Sequence, residues 1–105
     1  LYFGDMSVYR LLFQISETPE LSRFGEEMLG SLIEYDSKHS GALIETLNAY
    51  FANLGNLTRT AHALFVHRNT LQHRLERIAK ISGLHLNDAE ERLAIQLALK
   101  AYKLL

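Results

Sequence analysis

A very short turn between two helical patterns constrains the fold of this chain more than any other sequence feature. Within residues 55–83, apolar residues recur at helical spacing on both sides of Val66 and His67. Because only this pair separates the two patterns, the helices must fold back on each other, and the sequence predicts a helix-turn-helix over about residues 56–82. The predicted buried positions are Ala61, Leu64, Phe65, Leu71, Leu75 and Ile78.

The ends of these helices carry residues that are typical of helix caps. Asn56 is placed to begin the first helix, because its side chain accepts hydrogen bonds from free backbone N–H groups. Gly83 is placed to end the second helix, and Gly55 is placed to end the helix before the motif. Glycine readily adopts the left-handed conformation that is common at helix C-termini. The small side chain of Ala61 allows the two helices to approach closely where they cross.

Helical patterns also cover the N-terminal part of the chain. One helix is predicted over residues 8–15, and a second begins with Thr18 as its N-cap and a proline directly after it. Gly30 is expected to end this second helix. A short turn over residues 31–35 and a polar loop over residues 36–41 are expected to follow.

Two further helices complete the predicted fold. One covers residues 42–54, and the last begins at residues 87–91, where Asp88 and Glu91 have the spacing of a capping box. The chain is therefore predicted to be all-α, with six or seven helices. The apolar face of the last helix is expected at Leu93, Leu97 and residues 99–104.

Length, composition and the absence of cysteine limit the number of domains and the kinds of site that the chain can contain. The 105 residues, 48% of them hydrophobic, are expected to form one compact domain, with a helical lead-in over 1–40 packed on a core over 41–105. The lack of cysteine excludes disulfides and thiolate zinc sites. The same lack of cysteine makes a reducing cytoplasm the expected location, and the sequence shows neither a signal peptide nor a membrane-length apolar run. The absence of an initial Met favours a fragment of a longer protein.

Positive charge is concentrated in the helix-turn-helix, although the net charge of the chain is −1. Residues 1–52 hold three Lys/Arg and eight Asp/Glu, a charge of −5, whereas residues 53–85 hold five Lys/Arg against Glu76 alone, a charge of +4. Residues 86–105 balance at three of each. A basic segment on an acidic body is typical of a local site for a polyanion, and the alternative is a solvated helix face.

The second helix of the motif would present a polar side suited to reading DNA. If its leucines and Ile78 are buried, its first turn faces outward, and that turn usually enters the major groove. Arg can bridge two acceptors of guanine, and Asn or Gln can bridge adenine. We therefore predict base contacts from Arg68, Asn69, Gln72 and His73.

Other residues of the motif are suited to DNA phosphates. Some are basic and flank the reading face, and others lie near helix N-termini, where free N–H groups and the helix dipole favour an anion. His67 is expected to cap the second helix or to meet phosphate. The predicted phosphate contacts are Thr58, Arg59, Thr70, Arg74, Arg77 and Lys80.

One string, HRNTL at residues 67–71, is specific enough to carry a family resemblance. Residues 9–12 and 29–36 add a similar lead-in upstream of it. Together these residues resemble the C-terminal DNA-binding domain of the PucR family of bacterial transcription regulators, which includes the sugar-diacid regulators, and the motif is similar to the Fis-type helix-turn-helix. The other matching residues are Glu45-Thr46-Leu47, Tyr50-Phe51, Gly55-Asn56-Leu57, Ala61, Leu64-Phe65-Val66, Arg74-Leu75, Ile78, Gly83-Leu84 and the leucine-rich last helix.

The resemblance implies a ligand-responsive transcription regulator that binds double-stranded DNA, with a sensing domain N-terminal to this segment. The apolar surface of the last helix could pack on that domain or on a second copy, and we expect a homodimer in the full-length protein, since paired helix-turn-helix units read half-sites about one DNA turn apart. Two departures bear on the site. Gln72 and His73 stand where the family often has a basic residue and Tyr, which predicts weaker phosphate binding there and a different preferred DNA sequence. Phe65 stands where many other helix-turn-helix turns use Gly.

Other functions find less support in the sequence. The five histidines lack the i, i+4 spacing of a two-His site, so we expect neither metal nor cofactor. Acidic pairs such as Glu26-Glu27 have no nucleophile, Gly-rich loop or pocket signature near them, so we expect no enzyme. The last helix is apolar on more than one side, which leaves one alternative: a protein-interaction or dimerisation module without intrinsic DNA binding.

Overall fold

The computed structural model describes residues 3–104, and these form six α-helices with no strand. The all-α prediction is confirmed. Leu1, Tyr2 and Leu105, which the predicted lead-in and last helix include, lie outside the described residues. No helix in the described part is both long and apolar enough to cross a membrane. The helices are α1 (Phe3–Gln14), α2 (Pro19–His39), α3 (Leu43–Ala52), α4 (Leu57–Leu64), α5 (Arg68–Ser82) and α6 (Ala89–Leu104).

The second helix begins where the sequence predicts but ends much later. Thr18 caps α2 by accepting a hydrogen bond from the Leu21 backbone N–H, with Pro19 in the first turn. The predictions of a helix end at Gly30 and of a turn over 31–35 were wrong, because α2 continues through them to His39. A glycine inside a helix costs only about 1 kcal/mol. Burial of the flanking core residues Leu29 and Leu32 offsets that cost.

The predicted loop over residues 36–41 is therefore shorter, and its first residue has a structural role. The Asp36 carboxylate accepts hydrogen bonds from the backbone N–H groups of Leu43 (2.8 Å) and Ile44 (3.0 Å) at the start of α3. Ser40 and Ala42 adopt left-handed conformations, with φ of 52° and 56°. The sequence reading missed this cap because Asp36 lies on the preceding helix, not directly before α3.

The core lies between α2, α3, α5 and α6. The long helix α2 packs against the other three, whereas α1 packs against the C-terminal half of α6 through Leu12 and Ala101. Because α3 contacts both α4 and α5, and α2 contacts α5, the helix-turn-helix is supported by two other helices. The buried cluster comprises Leu29, Leu32, Leu43, Leu47, Ile78, Ile95, Ala98 and Leu99.

The last helix has the predicted cap at its start, but its buried face differs from the predicted apolar face. Asp88 caps α6 by accepting from the Glu91 backbone N–H at 3.0 Å. The Glu91 carboxylate accepts a hydrogen bond from the His85 backbone N–H at 2.7 Å, which anchors the loop before α6 to the first turn of the helix. Leu93 was predicted on the apolar face but is 53% exposed, because the buried face of α6 runs through Ile95, Ala98 and Leu99.

Candidate nucleic-acid interface

The first helix of the motif, α4, is fixed at both ends by local hydrogen bonds. Asn56 accepts from the Arg59 backbone N–H at 2.9 Å, as the sequence predicts. At the other end Phe65 has a φ of 58°, and the next N–H, from Val66, donates to the Ala61 carbonyl at 3.0 Å. This left-handed closure reverses the chain in the three residues between α4 and α5.

Phe65 was predicted to face the core, and this prediction was wrong. Its side chain is 93% exposed. The left-handed backbone that closes α4 turns this residue away from the buried face that Ala61 and Thr60 form. The apolar spacing at residues 61, 64 and 65 fits a helix that continues to 65, but α4 ends at Leu64.

The second helix of the motif, α5, is held to the core by the residues predicted for that role. Leu71 and Ile78 are fully buried, and Leu75 packs half-buried against the same core. Gly83 ends the helix with a φ of 75°. The three buried or half-buried residues, Leu71, Leu75 and Ile78, are spaced three to four positions apart. This spacing fixes the rotation of α5 about its axis and therefore decides which side chains face solvent.

The four predicted base-reading residues all lie on the solvent side of α5. Each is exposed, and among the described residues none of their side chains makes a hydrogen bond or ion pair. Their guanidinium, amide and imidazole groups are thus accessible to a ligand. These residues are Arg68, Asn69, Gln72 and His73.

Most of the predicted phosphate-binding residues are exposed as well, but two basic side chains already contact other helices. Arg74 is half-buried and its guanidinium donates to the Thr46 hydroxyl of α3 at 3.3 Å. The Arg77 guanidinium lies 5.7 Å from the ring centroid of Tyr35 on α2. The members with exposed side chains are Thr58, Arg59, Thr70, Arg77 and Lys80.

Sequence reasoning missed the partners of these two arginines. Thr46 is fully buried on α3, one turn from Leu43 and next to Leu47, and its hydroxyl also donates to the Ala42 carbonyl. A polar residue inside an apolar helical stripe is the signal that could have indicated a tertiary partner. The contact joins α3 to α5, so Arg74 has a role in positioning α5 whatever else it binds.

Among the described residues, no acidic side chain pairs with the basic side chains of α5. In the part of the chain that the structure describes, no ion pair involves α5, and Glu76 is its only acidic residue. No group of three or more His, Asp or Glu residues there could hold a metal ion. The surface combines exposed cations, hydroxyls near two helix N-termini and hydrogen-bonding side chains in the first turn of α5. This combination suits a polyanion that also presents hydrogen-bond donors and acceptors, as the base edges of a nucleic acid do.

Comparisons with known proteins also indicate a DNA-binding domain. Residues 43–101 match the family described as the PucR C-terminal helix-turn-helix domain. The chain is 28% identical over 98 residues to the DNA-binding transcriptional activator AdeR of Bacillus subtilis, covering 93% of this chain and 23% of AdeR. It is 32% identical over 94 residues to the Purine catabolism regulatory protein of the same organism, covering 90% of this chain and 18% of that protein.

A third relative is similar over a shorter stretch. The chain is 42% identical over 62 residues to the Carbohydrate diacid regulator of Escherichia coli, covering 59% of this chain and 16% of the regulator. The chain thus spans only about a quarter or less of the length of these curated relatives. No solved structure shows significant similarity to it.

Proposed function

Because the chain belongs to the family of PucR C-terminal helix-turn-helix domains, we propose that it binds double-stranded DNA sequence-specifically as the C-terminal part of a ligand-responsive bacterial transcription regulator. In this proposal α5 is the recognition helix and lies in the major groove. Several relatives are named as transcriptional activators or regulators. Those names support a regulatory role, not an enzymatic one, and give no support to an interaction module without DNA binding.

One observation carries the proposal: the buried stripe of α5 turns its first-turn polar residues to solvent. Leu71 is fully buried, whereas Arg68 and Asn69 before it and Gln72 after it are exposed. These are the side chains whose donors and acceptors match base edges in the major groove. We propose that these three residues, with His73, select the sequence.

The remaining exposed residues of the motif are proposed to fix the domain on the DNA backbone. Thr58 and Arg59 lie in the first turn of α4, and Thr70 in the first turn of α5. At these N-termini the helix dipole and free N–H groups stabilise a phosphate. Arg77 and Lys80 add charge farther along α5. We include Arg74 in this set, with its free N–H groups directed to phosphate while it stays bonded to Thr46.

We further propose that the full-length protein is cytoplasmic and contains a sensing domain N-terminal to this one. Support comes from the lengths and names of the relatives, one of which is the Proline-responsive transcriptional activator PutR of Bacillus subtilis. A homodimer is proposed as well, because paired helix-turn-helix units read half-sites about one DNA turn apart. Tyr102, which is 46% exposed on α6, is a large aromatic residue that a second copy could cover.

Selection of bound duplexes from random DNA, followed by titration at several salt concentrations, tests the proposal. We expect a recovered consensus and a steep salt dependence, with roughly four to six phosphate contacts per protomer. Arg77→Ala should reduce the salt slope by about one unit without changing the consensus. The matched control is Arg23→Ala, an exposed arginine at the other end of α2 from Tyr35, which should leave the slope unchanged. Recovery of no consensus would refute sequence-specific binding.

A further inference from the structure

His67 links the turn of the motif to the first turn of α5, and within the described part of the chain only one of its ring nitrogens has a hydrogen-bond partner. Its Nδ1 lies 3.0 Å from the backbone nitrogen of Asn69 and accepts that N–H, which makes His67 the N-cap of α5. Among the described residues no group hydrogen-bonds to Nε2, and the side chain is exposed. The cap therefore leaves one end of the ring directed to solvent beside Arg68.

The cap also decides which nitrogen carries the proton. A ring nitrogen that accepts a hydrogen bond cannot bear a hydrogen, so a neutral His67 must carry its proton on Nε2. The exposed nitrogen is then a donor, and its direction is set because the other side of the ring is bonded to the backbone. A donor held in this way loses little conformational entropy when it meets an acceptor.

We propose that His67 contacts DNA directly, by donating its Nε2–H to an acceptor on the duplex while Nδ1 caps the recognition helix. This inference rests on the proposed DNA-binding function, because it places His67 at the end of α5 that enters the groove. The acceptor is a phosphate oxygen or a base-edge atom, both of which lie near the first turn of a recognition helix. The sequence left capping and phosphate contact as alternatives for His67, whereas here one ring does both, through Nδ1 to the backbone and Nε2 to DNA.

Two substitutions separate the cap from the contact. In His67→Asn the amide oxygen takes the place of Nδ1 and Asn is among the best N-cap residues, but no donor reaches as far as Nε2. In His67→Gln the amide NH₂ takes the place of Nε2, but the longer side chain is a poor cap. The first variant therefore keeps the cap without the donor, and the second keeps the donor without the cap.

The experiment measures Tm and DNA affinity for the 105-residue chain and both variants. The probes are a duplex carrying the consensus recovered with the unsubstituted chain and a duplex of equal length with scrambled sequence. We expect His67→Asn to keep its Tm and to lose affinity about tenfold. We expect His67→Gln to show a lowered Tm and, well below that temperature, to lose less affinity than His67→Asn, because it keeps the donor but no longer holds it through the cap.

The two duplexes identify the acceptor. An equal loss on both duplexes assigns it to phosphate, and a loss confined to the consensus duplex assigns it to a base edge. Unchanged affinity in His67→Asn, or an equal loss in both variants, would overturn the contact. So would ring ¹⁵N shifts that place the proton of neutral His67 on Nδ1. Failure of the unsubstituted chain to bind any duplex would instead refute the proposed function itself.

Discussion

Replacement of Leu71 by Ala tests the rotation of α5, on which the proposed reading face depends. Leu71 is 0% exposed and lies one turn into the helix. The substitution removes three carbon atoms from the core, and at about 0.8 kcal/mol for each buried CH₂ the lost transfer free energy is about 2.4 kcal/mol. If the surrounding helices do not collapse into the space, the cavity raises the total toward about 5 kcal/mol.

Urea denaturation followed by far-UV circular dichroism measures this change in the free energy of unfolding. The matched control is Leu93→Ala on α6, which makes the same chemical change at a leucine that is 53% exposed. Both substitutions gain the higher helix propensity of Ala, so their difference isolates burial. We expect the control to stay within about 0.5 kcal/mol of the unsubstituted chain. Equal stabilities for the two variants would show that Leu71 does not face the core and would refute the assigned orientation of α5.

Two further predictions concern the parts of the fold that the sequence reading missed. Asp36→Ala should lower the free energy of unfolding by about 1–3 kcal/mol, because two backbone N–H groups at the start of α3 lose a charged acceptor. The control is Glu34→Ala, whose carboxylate pairs with Lys38 at 3.9 Å on the surface; it should change the free energy of unfolding by less than about 0.5 kcal/mol, and equal effects of the two substitutions in urea denaturation would contradict the cap. Phe65→Gly should be more stable than Phe65→Ala by about 0.5–1 kcal/mol, since both remove the exposed ring and only Gly relieves the left-handed backbone at φ 58°. A Phe65→Ala variant at least as stable as Phe65→Gly would argue against that conformation.

The motif itself was predictable from the sequence because its signals are local. Asn56 as the cap of α4, Gly83 as the end of α5 and the buried positions Leu71 and Ile78 all follow from residue types at short spacing. Helical periodicity depends only on neighbours along the chain. The side of α5 that faces solvent could therefore be deduced before the fold was known.

The errors arose where tertiary packing or the end of a helix overrode the local sequence pattern. Gly30 has a weak helix propensity, but Leu29 and Leu32 beside it are fully buried and keep α2 continuous. Phe65 has the right spacing for the core, but the closure of α4 places it in solvent. The contact of Arg74 with Thr46 joins residues 28 positions apart, a relation that periodicity within one helix does not reveal.

If the solvent face of α5 reads DNA bases, Arg68→Ala and Arg77→Ala must differ in base preference, and a comparison of the two variants decides the role of this face. Selection from random DNA with the unsubstituted chain supplies the reference consensus. We predict that Arg68→Ala binds the consensus more weakly by roughly 1–3 kcal/mol and tolerates changes at one base position. Arg77→Ala should keep the full preference and lose only salt-dependent affinity. An Arg68→Ala variant that keeps the reference preference and weakens equally on every sequence would contradict the account.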